Sequence, residues 1–199
     1  MFRAYVQLLS GLILCGFAVA AMVRANLGLG PWDVFHQGMA QKTGISLGMV
    51  FTLTSLVVLT LWIPLRQKPG IGTVANMILV GIATDVGLWL LPPVEGLALR
   101  YALLLAGIVG TGVGAAAYLA AGLGPGARDG LMTGLNSRYG WPIHGVRTGI
   151  EVVMLGFGWL CGGTAGIGTI AFAFLVGPVL HWCLPAFTRL AQRPLRASR

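Results

Sequence analysis

Gly28-Leu29-Gly30-Pro31-Trp32-Asp33 opens a passage that the chain nearly repeats, since Gly122-Leu123-Gly124-Pro125 follows 94 residues later. Gly70-Ile71-Gly72-Thr73 returns as Gly166-Ile167-Gly168-Thr169, at a spacing of 96. Asp33, Gly38 and Gly44 recur as Asp129, Gly134 and Gly140, also at 96. A two-residue insertion after Pro125 would reconcile the two spacings. On the shorter spacing, residues 9–27 match 103–121, with Gly16, Ala18, Ala20 and Ala21 falling on Gly110, Gly112, Gly114 and Ala115. Two copies of so long a unit in an apolar chain predict a membrane protein built around a pseudo-two-fold axis.

Composition names the solvent. Hydrophobic residues make up 56% of the 199, and charged residues 9%, against roughly 25% charged in globular domains. Apolar runs at 4–23, 47–65, 74–91, 99–121, 146–161 and 167–187 approach the ~20 residues that a crossing helix needs. The run at 146–161 is the weakest, because it carries Arg147 and Glu151. The first run also resembles a signal peptide, but its internal copy predicts that it is retained as a crossing.

The fold class expected is an all-α membrane protein with six transmembrane helices. Two short helices, 31–43 and 128–139, are too short and polar to span; they either lie in the interface or re-enter under cover of protein. Residues 1–93 form the first repeat, 99–187 the second, and 188–199 a basic cytoplasmic tail with Arg189, Arg193, Arg196 and Arg199. Three crossings per half make the repeat inverted; four make it parallel. With six crossings and a cytoplasmic N-terminus, Arg3, Arg66, Lys68, Arg128, Arg138, Arg147 and the tail lie inside, 10 basic residues against 3. If the short segments also cross, the division is 9 against 4, so the inverted arrangement is preferred.

The formal charge of +8 does not indicate nucleic acid, because the basic residues are scattered apart from the tail. Cys15, Cys161 and Cys183 lie in apolar segments without metal-ligand spacing, and neither a metal nor a cofactor is expected. No hydrolase elbow, zinc motif, phosphate loop or dinucleotide fingerprint occurs, so the chain does not read as an enzyme.

The candidate pathway residues follow from two rules. Gly28, Gly30, Pro31 and Gly122, Gly124, Pro125 open the short helices, whose free N–H groups and positive dipole ends suit an anion. Asp33 and Asp129 sit in the first turns, as helix caps or as a cation or proton site. Ionisable residues inside a membrane are costly and mark function. They are His36 beside Asp33, Asp85 with its repeat partner His181, and Glu151, which also pairs with Arg147 at i,i+4. The six tryptophans mostly fall near segment ends, as in an aromatic belt, and Trp32 alone adjoins the expected pathway.

Leu27 to Gly38, Thr43-Gly44-Ile45-Ser46 and Trp62 to Thr73 together resemble bacterial integral membrane proteins of the YczE type, within the broader YitT-like family. The resemblance implies a multi-pass protein of the bacterial cytoplasmic membrane and carries no substrate. Residues Gly126-Ala127-Arg128-Asp129 depart from the Trp32-Asp33 pattern, so a role for Trp32 need not be doubled. The function expected is a small transporter with its pathway between the repeats, acting on a small ion or solute. The alternative is a non-transporting accessory or scaffolding subunit. A full pathway is tight for 199 residues, which leaves room for a homodimer or a partner membrane protein.

Overall fold

The protein is described here by a computed structural model covering residues 2–192. Eight helices follow one another: α1 (Phe2–Ala25), α2 (Pro31–Thr43), α3 (Leu47–Leu65), α4 (Ile71–Leu90), α5 (Leu97–Ala120), α6 (Ala127–Tyr139), α7 (Ile143–Leu160) and α8 (Ile167–Gln192). Among the described residues there is no strand. Helix α8 runs past 187, so Arg189 belongs to it rather than to a tail; Arg193, Arg196 and Arg199 lie outside the described residues.

Five helices (α1, α3, α4, α5 and α8) are long and apolar enough to cross a bilayer. Their outward faces carry large apolar side chains such as Val57, Ile82, Leu105 and Phe174, which lipid accepts and water would not. Helix α7, with Arg147 and Glu151 in its first half, does not reach that threshold.

Helices α2, α3 and α4 begin 96 residues before α6, α7 and α8. Gly28 and Gly124 both take positive φ, 117° and 126°, which only glycine adopts readily. Gly30 and Gly126 both precede a 13-residue helix, and Gly44 and Gly140 both end one in the left-handed conformation. The Gly-Leu-Gly-Pro strings, 94 apart, are therefore not spatial equivalents. Leu29 matches Pro125, Pro31 matches Ala127, and no insertion is needed. Small residues in α1 and α5 obey the same rule. Gly16 packs on Val80 and Ala83, while Gly112 packs on Val176 and Val179. A short Gly-Pro word recurs easily in a glycine-rich chain, so the strings match without equivalent backbone.

Directions follow from who touches whom. Helices α1 and α5 run antiparallel along their length: Gln7 donates to the Ala117 carbonyl, Gly11 meets Gly114, Gly107 meets Ala18, and Arg100 donates to the Ala25 carbonyl. Helix α1 is parallel to α4, and α5 to α8. An even number of crossings from α1 to α4 would make α1 and α5 parallel. Their antiparallel contact therefore requires that α2 turn back on the side from which it started.

Burial agrees with that path. In α2 the N-terminal residues Pro31 to Val34 are buried and Gln41 to Thr43 are exposed; in α6 burial likewise fades from Ala127 to Tyr139. Each short helix points its N-terminus inward. Trp89, Trp141, Trp159 and Trp182 are exposed, as a belt requires, but Trp62 is buried beneath α6 and donates its N–H to the Ala127 carbonyl at 3.0 Å.

The Gly-Ile-Gly-Thr turns fasten the halves together. The Gly72 N–H donates to the Leu123 carbonyl, and the Gly168 N–H to the Leu27 carbonyl, each at 2.8 Å. Thr73 and Thr169 accept from the N–H groups of Gly70 and Gly166, satisfying helix-start donors that hydrocarbon would leave orphaned.

Two predictions follow from this packing. A Cβ on Gly114 would lie 2.7 Å from the Gly11 carbonyl, whereas Gly156 faces open space. Gly114→Leu is expected to lower unfolding stability in detergent by roughly 1–3 kcal/mol, and Gly156→Ala to leave it unchanged or slightly raised. In a cysteine-free background, Lys42→Cys and Arg138→Cys are expected to react with an impermeant thiol reagent from opposite faces of the membrane; reaction from one face would refute the antiparallel path.

Candidate functional site

The inward N-termini of α2 and α6 meet beside a chamber of about 350 Å³. Trp32 from α2, Arg128 and Asp129 from α6, Arg147 and Glu151 from α7, and His181 from α8 line it. Trp32 and Arg128 occupy the same position in their two helices, 96 apart. They stack across the junction, with the guanidinium carbon 5.5 Å from the indole centroid and 6.0 Å from the ring of Phe51. Nearby, Gly130 lets the Trp62 ring lie directly on α6.

The two first-turn carboxylates sit alike and are partnered differently. Each folds back over its own helix-start glycine, Asp33 over Gly30 and Asp129 over Gly126. Asp129 accepts a 2.7 Å hydrogen bond from the Tyr118 hydroxyl. Asp33 is 3% exposed and His36 1%; Asp33 Oδ1 and His36 Nδ1 stand 3.5 Å apart without a hydrogen bond. The Trp32 N–H, on a side chain 5% exposed, also has no acceptor among the described residues. Unsatisfied polar groups at such depth are expensive and call for a reason.

Charges in the chamber pair incompletely. Arg147 Nε lies 2.9 Å from Glu151 Oε1, the intrahelical pair its spacing predicts. Asp129 is engaged by Tyr118. Arg128 makes no hydrogen bond or ion pair with another described residue, and the faces of Trp32 and Phe51 lie beside it.

Of the residues singled out from sequence, the chamber gathers Gly30, Pro31, Trp32, Asp129, Glu151 and His181, with Asp33 and His36 packed behind Trp32. It does not gather Gly28, Gly122, Gly124 or Pro125, which shape the turns. Asp85 also lies elsewhere. Its carboxylate accepts from Ser46 Oγ at 2.6 Å and from the Gly48 N–H at 2.8 Å, capping α3 and tying it to α4. Arg128 and Tyr118 are the residues sequence reasoning missed. By sequence Arg128 counts among the inside loop charges, yet it sits in the first turn of α6; its position 96 residues after Trp32 is the available signal.

Helices that suit lipid, enclosing a polar chamber with irregular backbone inside, define a multi-pass α-helical membrane protein. The chain belongs to the family of unknown function DUF6198, which it matches over residues 2–185. It is 36% identical to an uncharacterized protein of Haemophilus influenzae over 94% of this chain and 86% of that one. It is 34% identical to the uncharacterized membrane protein YczE of Bacillus subtilis, over 91% and 85% of the two chains. A third relative, the uncharacterized protein YyaS of Bacillus subtilis, is 25% identical over 90% of this chain and 91% of its own. No solved structure matches the chain.

Asp85→Ala is expected to reduce unfolding stability by about 1–2 kcal/mol while the chamber keeps its shape. Thermal unfolding in detergent, together with thiol labelling at a chamber position, would separate this capping role from a role in the site.

Proposed function

We propose that the protein is a small transporter of the bacterial cytoplasmic membrane and not an enzyme. In this reading residues 1–93 and 99–187 are inverted repeats of three crossings each, with α7 as the sixth crossing despite its charges. The outer ends of α1 and α8 face the cytoplasm, in keeping with the excess of basic residues assigned to that side.

One observation carries the reading: two broken helices bring their N-termini together inside the bundle, against a chamber with polar walls. Non-helical backbone at that depth is tolerated where protein covers it or where it lines a cavity. Transporters with inverted repeats place their binding sites at such junctions. A purely structural subunit has no need for an unpaired Arg128, an unpartnered Trp32 N–H and the buried Asp33–His36 pair at one place.

A conduit must open to both faces. Met132→Cys, on the chamber wall, in a background lacking Cys15, Cys161 and Cys183, is expected to react with an impermeant thiosulfonate in intact cells and, separately, in inverted vesicles. Reaction from neither face or from one face alone, with a stoichiometric partner copurifying, would favour the accessory-subunit reading.

A further inference from the structure

A second cavity adjoins the chamber. It holds about 470 Å³ and is lined by α2, α3, α6 and α7, with Phe35, Val57, Leu61, Leu131 and Met154 among its walls and no charged residue. Leu53, Val57 and Leu61 are 47–61% exposed, so this groove opens sideways into lipid rather than toward water. Trp32 lines both spaces and forms the wall between them.

Polar and apolar compartments thus share one aromatic partition. The anions that line the chamber are already engaged, Asp129 with Tyr118 and Glu151 with Arg147. Asp33 stands outside its walls. The charge left for a ligand is the Arg128 guanidinium, stacked on Trp32, whose own N–H lacks an acceptor. A guanidinium in the chamber, one aromatic ring away from a lipid-open apolar groove, matches an anionic oxygen head on a hydrocarbon chain. A packed protein helix would fill the groove but would bring no anion to Arg128.

We propose that the substrate is a single-chain amphiphile with an anionic oxygen head, of the fatty carboxylate class. Its chain lies in the groove between α3 and α7, and its head passes Trp32 to reach Arg128. This rests on the transporter reading and names its substrate class. Because lipid tails already surround the groove, the chain gains little by moving into it; selectivity resides in the head.

The test uses the full-length protein in phosphatidylcholine nanodiscs and palmitate carrying a diazirine in its chain. Photolysis is expected to label residues 50–61 of α3 together with Ile150 or Met154. Unlabelled palmitate should compete and hexadecanol should not, and Arg128→Gln should cut labelling about tenfold or more, with Arg128→Lys retaining part of it. The competition arm needs only the wild-type chain, so misfolding of a variant does not blunt the test. Labelling spread over all lipid-facing helices, or displaced equally by hexadecanol, would reduce the groove to ordinary lipid contact and overturn the proposal. Displacement by acetate or inorganic phosphate would overturn the amphiphile but keep a small-anion carrier. Disulfide capture of two copies through Val57→Cys would put a second chain in the groove and overturn it as well. Failure of two-sided chamber labelling strikes the transporter reading itself, whatever the probe binds.

Discussion

Backbone that leaves a helix inside hydrocarbon has no water to bond, and this constraint governs the rest of the molecule. The chain leaves its helices at 26–30 and 121–126, ahead of α2 and α6, and each break is held by the half to which it does not belong. Gly72 donates to Leu123, and Gly168 to Leu27. Bare glycines make the bonds feasible: a Cβ at Gly168 would sit 2.5 Å from the Gly28 carbonyl, and one at Gly72 2.9 Å from the Gly124 carbonyl. The same two turns that start α4 and α8 therefore decide where α2 and α6 begin, and hence where the chamber lies.

Correspondence between the halves is a matter of backbone, and difference between them is a matter of side chains. At the second position of each short helix stands Trp32 or Arg128; three residues beyond Asp33 stands His36, and three beyond Asp129 stands Met132. Phe51 matches Arg147, Ser55 matches Glu151, and Asp85 matches His181. Where the first half places Trp32, Phe51 and Ser55, the second places the charges Arg128, Arg147 and Glu151. The chamber is walled mostly by the second half, with Gly30, Pro31 and Trp32 entering from the first.

Much of the fold could be read in the chain because hydrophobic length and glycine punctuation are local signals. Pro31 and Gly44 bound the first short helix as the rules for helix starts and stops require. Polarity and length alone leave open whether that helix crosses; the contacts of Gly11 with Gly114 and of Gly107 with Ala18 set α1 and α5 antiparallel, as a non-crossing α2 requires. The site was less legible. Asp85 was singled out for its charge within an apolar run, but its partners Ser46 and Gly48 come from another helix, and no spacing within α4 reveals them. Arg128 was overlooked for the opposite reason: an arginine beside a turn reads as a loop charge until the turn is known to lie inside.

The crossed fastening of the two breaks also bears on biosynthesis. Leu27 leaves the ribosome some 140 residues before Gly168, the donor its carbonyl requires. The first half therefore enters the bilayer with an open break and stays incomplete until α8 begins to emerge. Chaperoning by the insertion machinery, or shelter from its own neighbouring helices, has to cover that carbonyl for most of the time the chain is being made.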